Sequence, residues 1–376
     1  MRAEDEARPK GSPDSMGPTP YVARHENSAS PVTRHASRPK IAVYWTGSCG
    51  GCDVSFLEVG EAIVDILSQV EIVFWPALAD PKREDLEAMP PGSIDVALIN
   101  GTIRTEENVE MVELLREKAK LVVAYGACAH LGGVPSLANL STREEILGEV
   151  LGEGWRRGPP PGGPEEDAPP DLLPRALPLS QVVRVDYTVP GCPPPAGLIG
   201  EFFNAFLSGE MPEPGYVFAK AKALCEECPR TREERVLKRI VRPHELLPDP
   251  EECLLDQGLI CLGPVTRGGC NAACPQAGMP CTGCLGPTPK AGDPGLAMIS
   301  ALASLVRAGE EGEEAIPKED EILDQLVDLI GTLYKYGVPT FCPLSPERER
   351  AGVRGKASPS PVPSQPGRGR RKGGAA

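Results

Sequence analysis

At 376 residues the chain is long enough for one or two domains with appendages. Its 43 Pro and 41 Gly make roughly a fifth of all positions against an average near 12 per cent, which predicts substantial stretches outside any packed core. A net charge of -14 repels phosphate backbones and excludes nucleic-acid binding by the body of the chain. The six basic side chains of residues 351–376 (Arg354, Lys356, Arg368, Arg370, Arg371 and Lys372) form a candidate patch whose expected state is a solvated tail. No apolar run nears the roughly 18 to 20 residues of a bilayer span, so no membrane insertion is expected. The first 40 residues, read as a disordered arm, carry no apolar export signal, and the expected location is the cytoplasm.

In chain order, residues 41–47 (IAVYWTG) read as a buried parallel strand ending in small residues. Residues 54–67 have a helical apolar period, 70–75 a second strand, 94–99 (IDVALI) a third, 106–118 a charged helix, and 121–125 (LVVAY) a fourth strand. Strand, helix, strand at this spacing predicts a doubly wound, flavodoxin-like α/β domain over residues 41–211. Residues 158–178 hold eight Pro and three Gly in 21 positions and read as an extended surface insertion. Residues 182–189 resume the sheet and 196–207 form its last helix. A loop-rich cysteine module follows over 212–290. C-terminal helices over 294–308 and 320–336 lie within a closing segment, 291–345, and a basic tail spans 346–376.

Thirteen cysteines in a reducing compartment point to metal ligation rather than disulfides. Cys49, Cys52, Cys128 and Cys192 each follow the carboxyl end of a predicted strand, the edge where an open α/β sheet binds ligands. Four thiolates, one per iron, are what an iron-sulfur cubane takes, and a C-x-x-C pair lets neighbouring residues reach two irons of one cluster. Gly50 and Gly51 leave room for amides to approach the sulfides, a helix starting near Asp53 aims its positive end there, and Pro193, Pro194 and Pro195 stiffen the turn after Cys192. The eight cysteines Cys225, Cys228, Cys253, Cys261, Cys270, Cys274, Cys281 and Cys284 make two more four-thiolate sites. The simplest partition puts the first four of these in one site and the last four in the other, although spacing alone leaves the pairing open. Spacing also leaves zinc, which takes four cysteines with the same knuckles, as the alternative metal. Cys342 reads as a plain thiol, and His25, His35 and His244 as arm or loop residues. His130 reads as an ordinary satisfied side chain or a donor to a cluster, and Asp53 as a helix cap or a proton relay.

The segments WTGSCGGCDVSFLE, YGACAHLGGVPSLANL, VPGCPPP and GPVTRGGCNAACPQAGMPCTGCLGP resemble the small electron-transfer subunit of nickel-iron hydrogenases, which shares its fold with the 20 kDa subunit of NADH-quinone oxidoreductase. They span residues 41–305 apart from the Pro-rich insertion. Residues 93–140 look most like cytoplasmic hydrogenases that do not reduce the deazaflavin coenzyme and that supply heterodisulfide reductase. The resemblance implies that Cys49, Cys52, Cys128 and Cys192 hold a proximal 4Fe-4S cluster facing the nickel-iron centre of a separate large subunit. The other eight would hold medial and distal 4Fe-4S clusters, three in all, leading to an acceptor subunit. With twelve cysteines allotted, no C-x-x-C pair remains for nickel, so the chain is expected to conduct electrons rather than to split dihydrogen alone. Two rival readings are a quinone-reductase subunit on the same fold and a zinc-stabilised interaction scaffold.

Overall fold

The computed structural model describes residues 38–151, 171–233, 237, 239–307, 325–326 and 328–341. Residues 1–37, positions 158–170 of the insertion, the basic tail, Cys342, His25 and His35 lie outside them.

In chain order the first domain comprises β1 (Lys40–Trp45), α1 (Gly51–Ser55), α2 (Ala62–Gln69), β2 (Glu71–Phe74), α3 (Arg83–Ala88), β3 (Ile94–Asn100), β4 (Ile103–Thr105), α4 (Glu106–Lys118) and β5 (Ala119–Tyr125). There follow α5 (Ala127–Leu131), α6 (Arg143–Leu151), β6 (Leu172–Leu177), β7 (Tyr187–Val189) and α7 (Ala196–Ser208). Five strands form one parallel sheet in the order β2-β1-β3-β5-β7, the doubly wound order whose switch point falls between β1 and β3. The α/β expectation therefore holds. Successive residues of the central strands alternate between the two faces, as the strand period demands. Val96 and Leu98 pack with Ile41, Val43, Val123 and Tyr125 against Phe56, Phe202 and Phe203. Ala97 and Ile99 pack with Ala42, Val122 and Ala124 against Leu86, Met111, Val112 and Leu115. Each large apolar side chain buried this way stabilises the sheet by about 1.5–3 kcal/mol.

Several expectations change in detail. The single helix over 54–67 is instead α1, a 3-10 turn at Phe56–Val59 and α2, because Gly60 interrupts it at φ 66°. The strand over 182–189 begins only at Tyr187, since the amides of Val182 and Val183 both turn back to the Leu179 carbonyl. The last part of the Pro-rich insertion is not loop: β6 pairs antiparallel with β4 in a separate two-stranded sheet. An edge of that kind tolerates Pro174. The start of α4 is legible locally, for Thr105 and Asn108 exchange reciprocal side-chain-to-amide bonds as a capping box.

Beyond α7 the described backbone up to residue 292 has little regular structure apart from isolated bridges, a 3-10 turn at Leu224–Glu226 and the one-turn α8 (Ala273–Gln276). Its core of Leu224, Leu254, Leu255, Leu259, Leu262 and Val265 is completed by Met298 and Leu302 of α9 (Pro294–Arg307) and by Leu333 of α10 (Leu329–Leu333). The helix expected over 320–336 is, among the described residues, only α10. Asp328 caps it by accepting from the Gly331 amide, and a turn at residues 334–337 leads into α11 (Val338–Phe341).

Candidate metal centres

Three separate strand ends bring the first four cysteines to one edge. Cys49 and Cys52 follow β1, Cys128 follows β5 within α5, and Cys192 follows β7. Cys52, Cys128 and Cys192 are each perturbed by neighbouring cysteines of this set. Burial first, and then Cys128, Cys192 and Cys49, raise the Cys52 thiol far above its ordinary range. Burial, followed by Cys192 and Cys49, pushes Cys128 up to about 12. A bound metal centre would supply the positive charge that four neighbouring thiolates need.

The turns around them are shaped for sulfur. Gly50 adopts φ 83°, and an added methyl there would meet the Trp45 indole at 3.1 Å, so this glycine is required by backbone and packing. A methyl at Gly126 would lie 2.5 Å from Cys52 Sγ. One at Gly133 would overlap Cys128 Sγ and stand 2.7 Å from the Cys128 Cα. The Val134 amide donates to the Cys128 sulfur. Helix α1 starts at Gly51, earlier than expected and only five residues long, so its dipole adds little. Beneath it, Ser55 Oγ donates to the Cys52 carbonyl at 2.7 Å and meets the Tyr125 hydroxyl at 2.8 Å, while Tyr125 stacks on Phe56 with centroids 4.7 Å apart. Asp53 does not cap the helix. Its carboxylate accepts from Trp75 Nε1 at 2.9 Å and Asn100 Nδ2 at 3.0 Å, tying α1 to the ends of β2 and β3.

The other eight cysteines lie in the loop-rich module. Cys225 is pushed up to about 12 by burial and then by Cys261, Cys253 and Cys228. A methyl at Gly263 would lie 3.1 Å from Cys225 Sγ and 3.6 Å from Cys261 Sγ. Burial raises Cys270, with Cys274 adding to it, and burial pushes Cys284 up to about 12 with contributions from Cys270, Cys192 and Cys274. Cys281 is raised by burial, then by Cys261 and Cys284. Backbone amides again point at sulfur: Ala272 and Ala273 at Cys270, Gly283 at Cys281, Gly263 at Cys261, and Leu255 and Asp256 at Cys253.

Two contacts cross between sets. The Cys192 amide donates to Cys284 Sγ, and the Cys281 amide donates to Cys261 Sγ at 3.3 Å. In space, therefore, the Cys281–Cys284 loop touches both the Cys192 turn and the Cys261 loop, although it comes last in the sequence.

Among the described residues no three or more Cys, His, Asp or Glu gather tightly enough for a single metal ion. The donor sets, the glycine cradles and the inward amides fit iron-sulfur clusters.

Some functional neighbours carry no sequence signature. Glu227, inside the C-E-E-C pair, accepts from the Gly269 amide at 2.8 Å and from Lys220 Nζ at 2.6 Å, joining one cysteine loop to another. A methyl at Gly268 would meet its carboxylate at 3.0 Å, a reason for the Gly-Gly pair before Cys270 that is visible only in three dimensions. His130 is pushed down to about 4 by burial and then by Arg267, so its imidazole is neutral at pH 7. Tyr336 reaches the first set from the C-terminal segment, where the sequence pattern predicts only helix.

The family model described as NADH ubiquinone oxidoreductase, 20 Kd subunit matches residues 49–206. The chain is 39% identical over 319 residues to the iron-sulfur subunit of the F420-non-reducing hydrogenase of Archaeoglobus profundus, covering 80% of this chain and 96% of that protein. It is 38% identical over 322 residues to a subunit of the F420-non-reducing hydrogenase of Methanothermobacter thermautotrophicus, covering 84% and 99%. Among solved structures, a chain of an NAD+-reducing [NiFe]-hydrogenase in the H2-reduced state aligns with TM-score 0.41 and 32% identity over 47% of this chain and 95% of that one.

Proposed function

We propose that this chain, which belongs to the family of iron-sulfur subunits of F420-non-reducing hydrogenases, passes electrons from a nickel-iron active site on a separate large subunit through three 4Fe-4S clusters to an outside acceptor. Membership makes it a subunit of an oxidoreductase complex. The observation that carries the finer reading is the unbroken thread of cysteine loops, from Cys192 to Cys284 and from Cys281 to Cys261.

In this reading Cys49, Cys52, Cys128 and Cys192 hold the entry cluster. Cys270, Cys274, Cys281 and Cys284 hold the middle one, and Cys225, Cys228, Cys253 and Cys261 the last. When bound, such clusters supply one-electron carriers with potentials open to the range of about -700 to +450 mV. The protein's part is to hold the sulfurs, exclude water and aim amides at them, since each hydrogen bond to sulfur favours the reduced, more negatively charged state. Spatial contact, rather than order along the chain, supports the middle assignment.

Around the exposed Cys49 and Cys192, Trp45 is 43% exposed, while Val54 is 59% and Leu57 69% exposed. An apolar surface beside the entry set fits burial against the large subunit. The acceptor in this reading is a further subunit linked to heterodisulfide reductase, as the family resemblance implies. The assembly works in the cytoplasm, where so many unpaired thiols are kept reduced. No described helix is long and apolar enough to cross a membrane.

Anaerobic purification of the complex tests this reading. The expected result is a nickel-containing large subunit in the complex and about twelve irons per copy of this chain, with little zinc. A chain that purifies colourless with about three zincs refutes it.

A further inference from the structure

Tyr336 stands where the first and middle cysteine sets meet. It lies in the turn between α10 and α11, and its hydroxyl is placed beside the Cys192 side chain. The same hydroxyl lies 3.3 Å from Thr282 Oγ1, the residue between Cys281 and Gly283 in the C-T-G-C loop. Its main-chain carbonyl accepts from the Gly133 amide at 2.9 Å, directly beside the cradle of Cys128. The neighbouring α11 is anchored to the same place: Thr340 Oγ1 donates to the Leu131 carbonyl at 3.0 Å, and Pro339 fills the space over Gly132. One residue of the C-terminal segment thus touches the loops of Cys128, Cys192 and Cys281–Cys284 at once.

We propose that Tyr336 is a positioning residue for the electron step between the first and middle cysteine sets: its hydroxyl donates to Cys192 Sγ, and its main chain fastens the Cys128 loop beside the C-T-G-C loop. A hydrogen bond to a ligand sulfur stabilises the reduced state of the centre it serves and raises its potential. The fixed contact between loops holds the separation that a tunnelling electron must cross. One electron moves between the two centres in this step, and Tyr336 is neither oxidised nor deprotonated. Lys335, in the same turn, places its positive charge near Cys192 and acts in the same direction.

The inference rests on the reading that Cys192 belongs to the entry cluster, and Y336F tests it in the assembled complex. The ring stays, so packing is kept, and only the hydroxyl is lost. The expected result is full iron content, a midpoint potential of the entry centre shifted to more negative values with the last centre unmoved, and loss of one exchangeable proton coupling at the entry centre in electron-nuclear double resonance after transfer to deuterium oxide. An iron-replete Y336F with wild-type potentials and an unchanged exchangeable-proton signal overturns the role of Tyr336 alone, whereas a wild-type chain without clusters overturns the cluster reading. Should Y336F not accumulate, 3-fluorotyrosine at position 336 decides: the more acidic phenol is the stronger donor, so the entry potential rises with full iron content, and an unchanged or more negative potential overturns the proposal.

Discussion

Replacing Gly133 by alanine separates a cluster cradle from an ordinary glycine turn, because Gly60 provides a matched control. Gly133 has φ 65° and ψ -171°, and Gly60 has φ 66° and ψ -142°, so both occupy backbone regions nearly closed to other residues. Holding an alanine in such a conformation costs about 1–3 kcal/mol at either site. At Gly60 nothing lies within 4 Å of the new methyl, and the backbone term is the whole effect. At Gly133 the methyl overlaps Cys128 Sγ and lies 2.7 Å and 2.9 Å from the Cys128 Cα and Cβ, so the sulfur or the loop must move. Displacing the side chain from its rotamer adds about 0.5–1.5 kcal/mol. Weakening the Val134 amide bond to a charged sulfur adds about another 1.5 kcal/mol. Thermal unfolding and iron analysis of the anaerobically purified complex read both consequences. Gly60→Ala should lower the melting temperature and keep its full iron. Gly133→Ala should be less stable by a further ~2–3 kcal/mol and should lose about four of its roughly twelve irons, one cubane. Equal iron in the two variants would refute the placement of Cys128 in a tight metal cradle.

Cys49→Ala should abolish hydrogen-dependent dye reduction by the complex, and retained turnover would mean that the first set is not the entry. Phe56→Ala removes a side chain 3% exposed that stacks on Tyr125 directly below α1; urea unfolding should register a loss of about 3–5 kcal/mol, and a loss under 1 kcal/mol would contradict the packing. Asp95 provides a pH test. Burial acts to raise its pKa, but Lys120 Nζ and the Lys40 amide, both at 2.7 Å, outweigh burial and hold it below the usual carboxylate value. With the folded pKa depressed, its stabilisation is complete above the unfolded pKa near 3.9 and is lost as pH falls through that value and the lower folded one. Asp95→Asn should therefore be less stable at pH 7 and show a shallower loss of stability below about pH 4. Parallel curves for the two proteins would count against the pairing.

Strand positions and the candidate ligands were legible because each depends on short-range pattern. The aliphatic runs that became β1, β3 and β5 are buried on both faces, and such runs read as strands without alternation. The breaks at Gly60 and Asp328 went unread, since an apolar helical period continues across both positions. β6 was hidden by proline, and it exists because β4 offers an edge that spacing does not reveal. In the site, the twelve cysteines stood out by type and glycine context. The clamps Glu227 and Tyr336 did not, being ordinary residues whose use depends on which loop passes them. Asp53 misled for the same reason: a carboxylate in a first helical turn is a common cap, and only the approach of Trp75 and Asn100 gives it another job.

Amino-acid order by itself determined the α/β class, the metal-binding character and the family, because apolar period, cysteine spacing and local motif are properties of neighbouring residues. Tertiary structure alone decided which sets touch. The Cys270–Cys284 stretch comes last along the chain yet lies in the middle, since the Cys192 turn meets Cys284 and the Cys261 loop meets Cys281. An electron follows distance through space, and distances between loops are set by how the module folds over the end of the sheet.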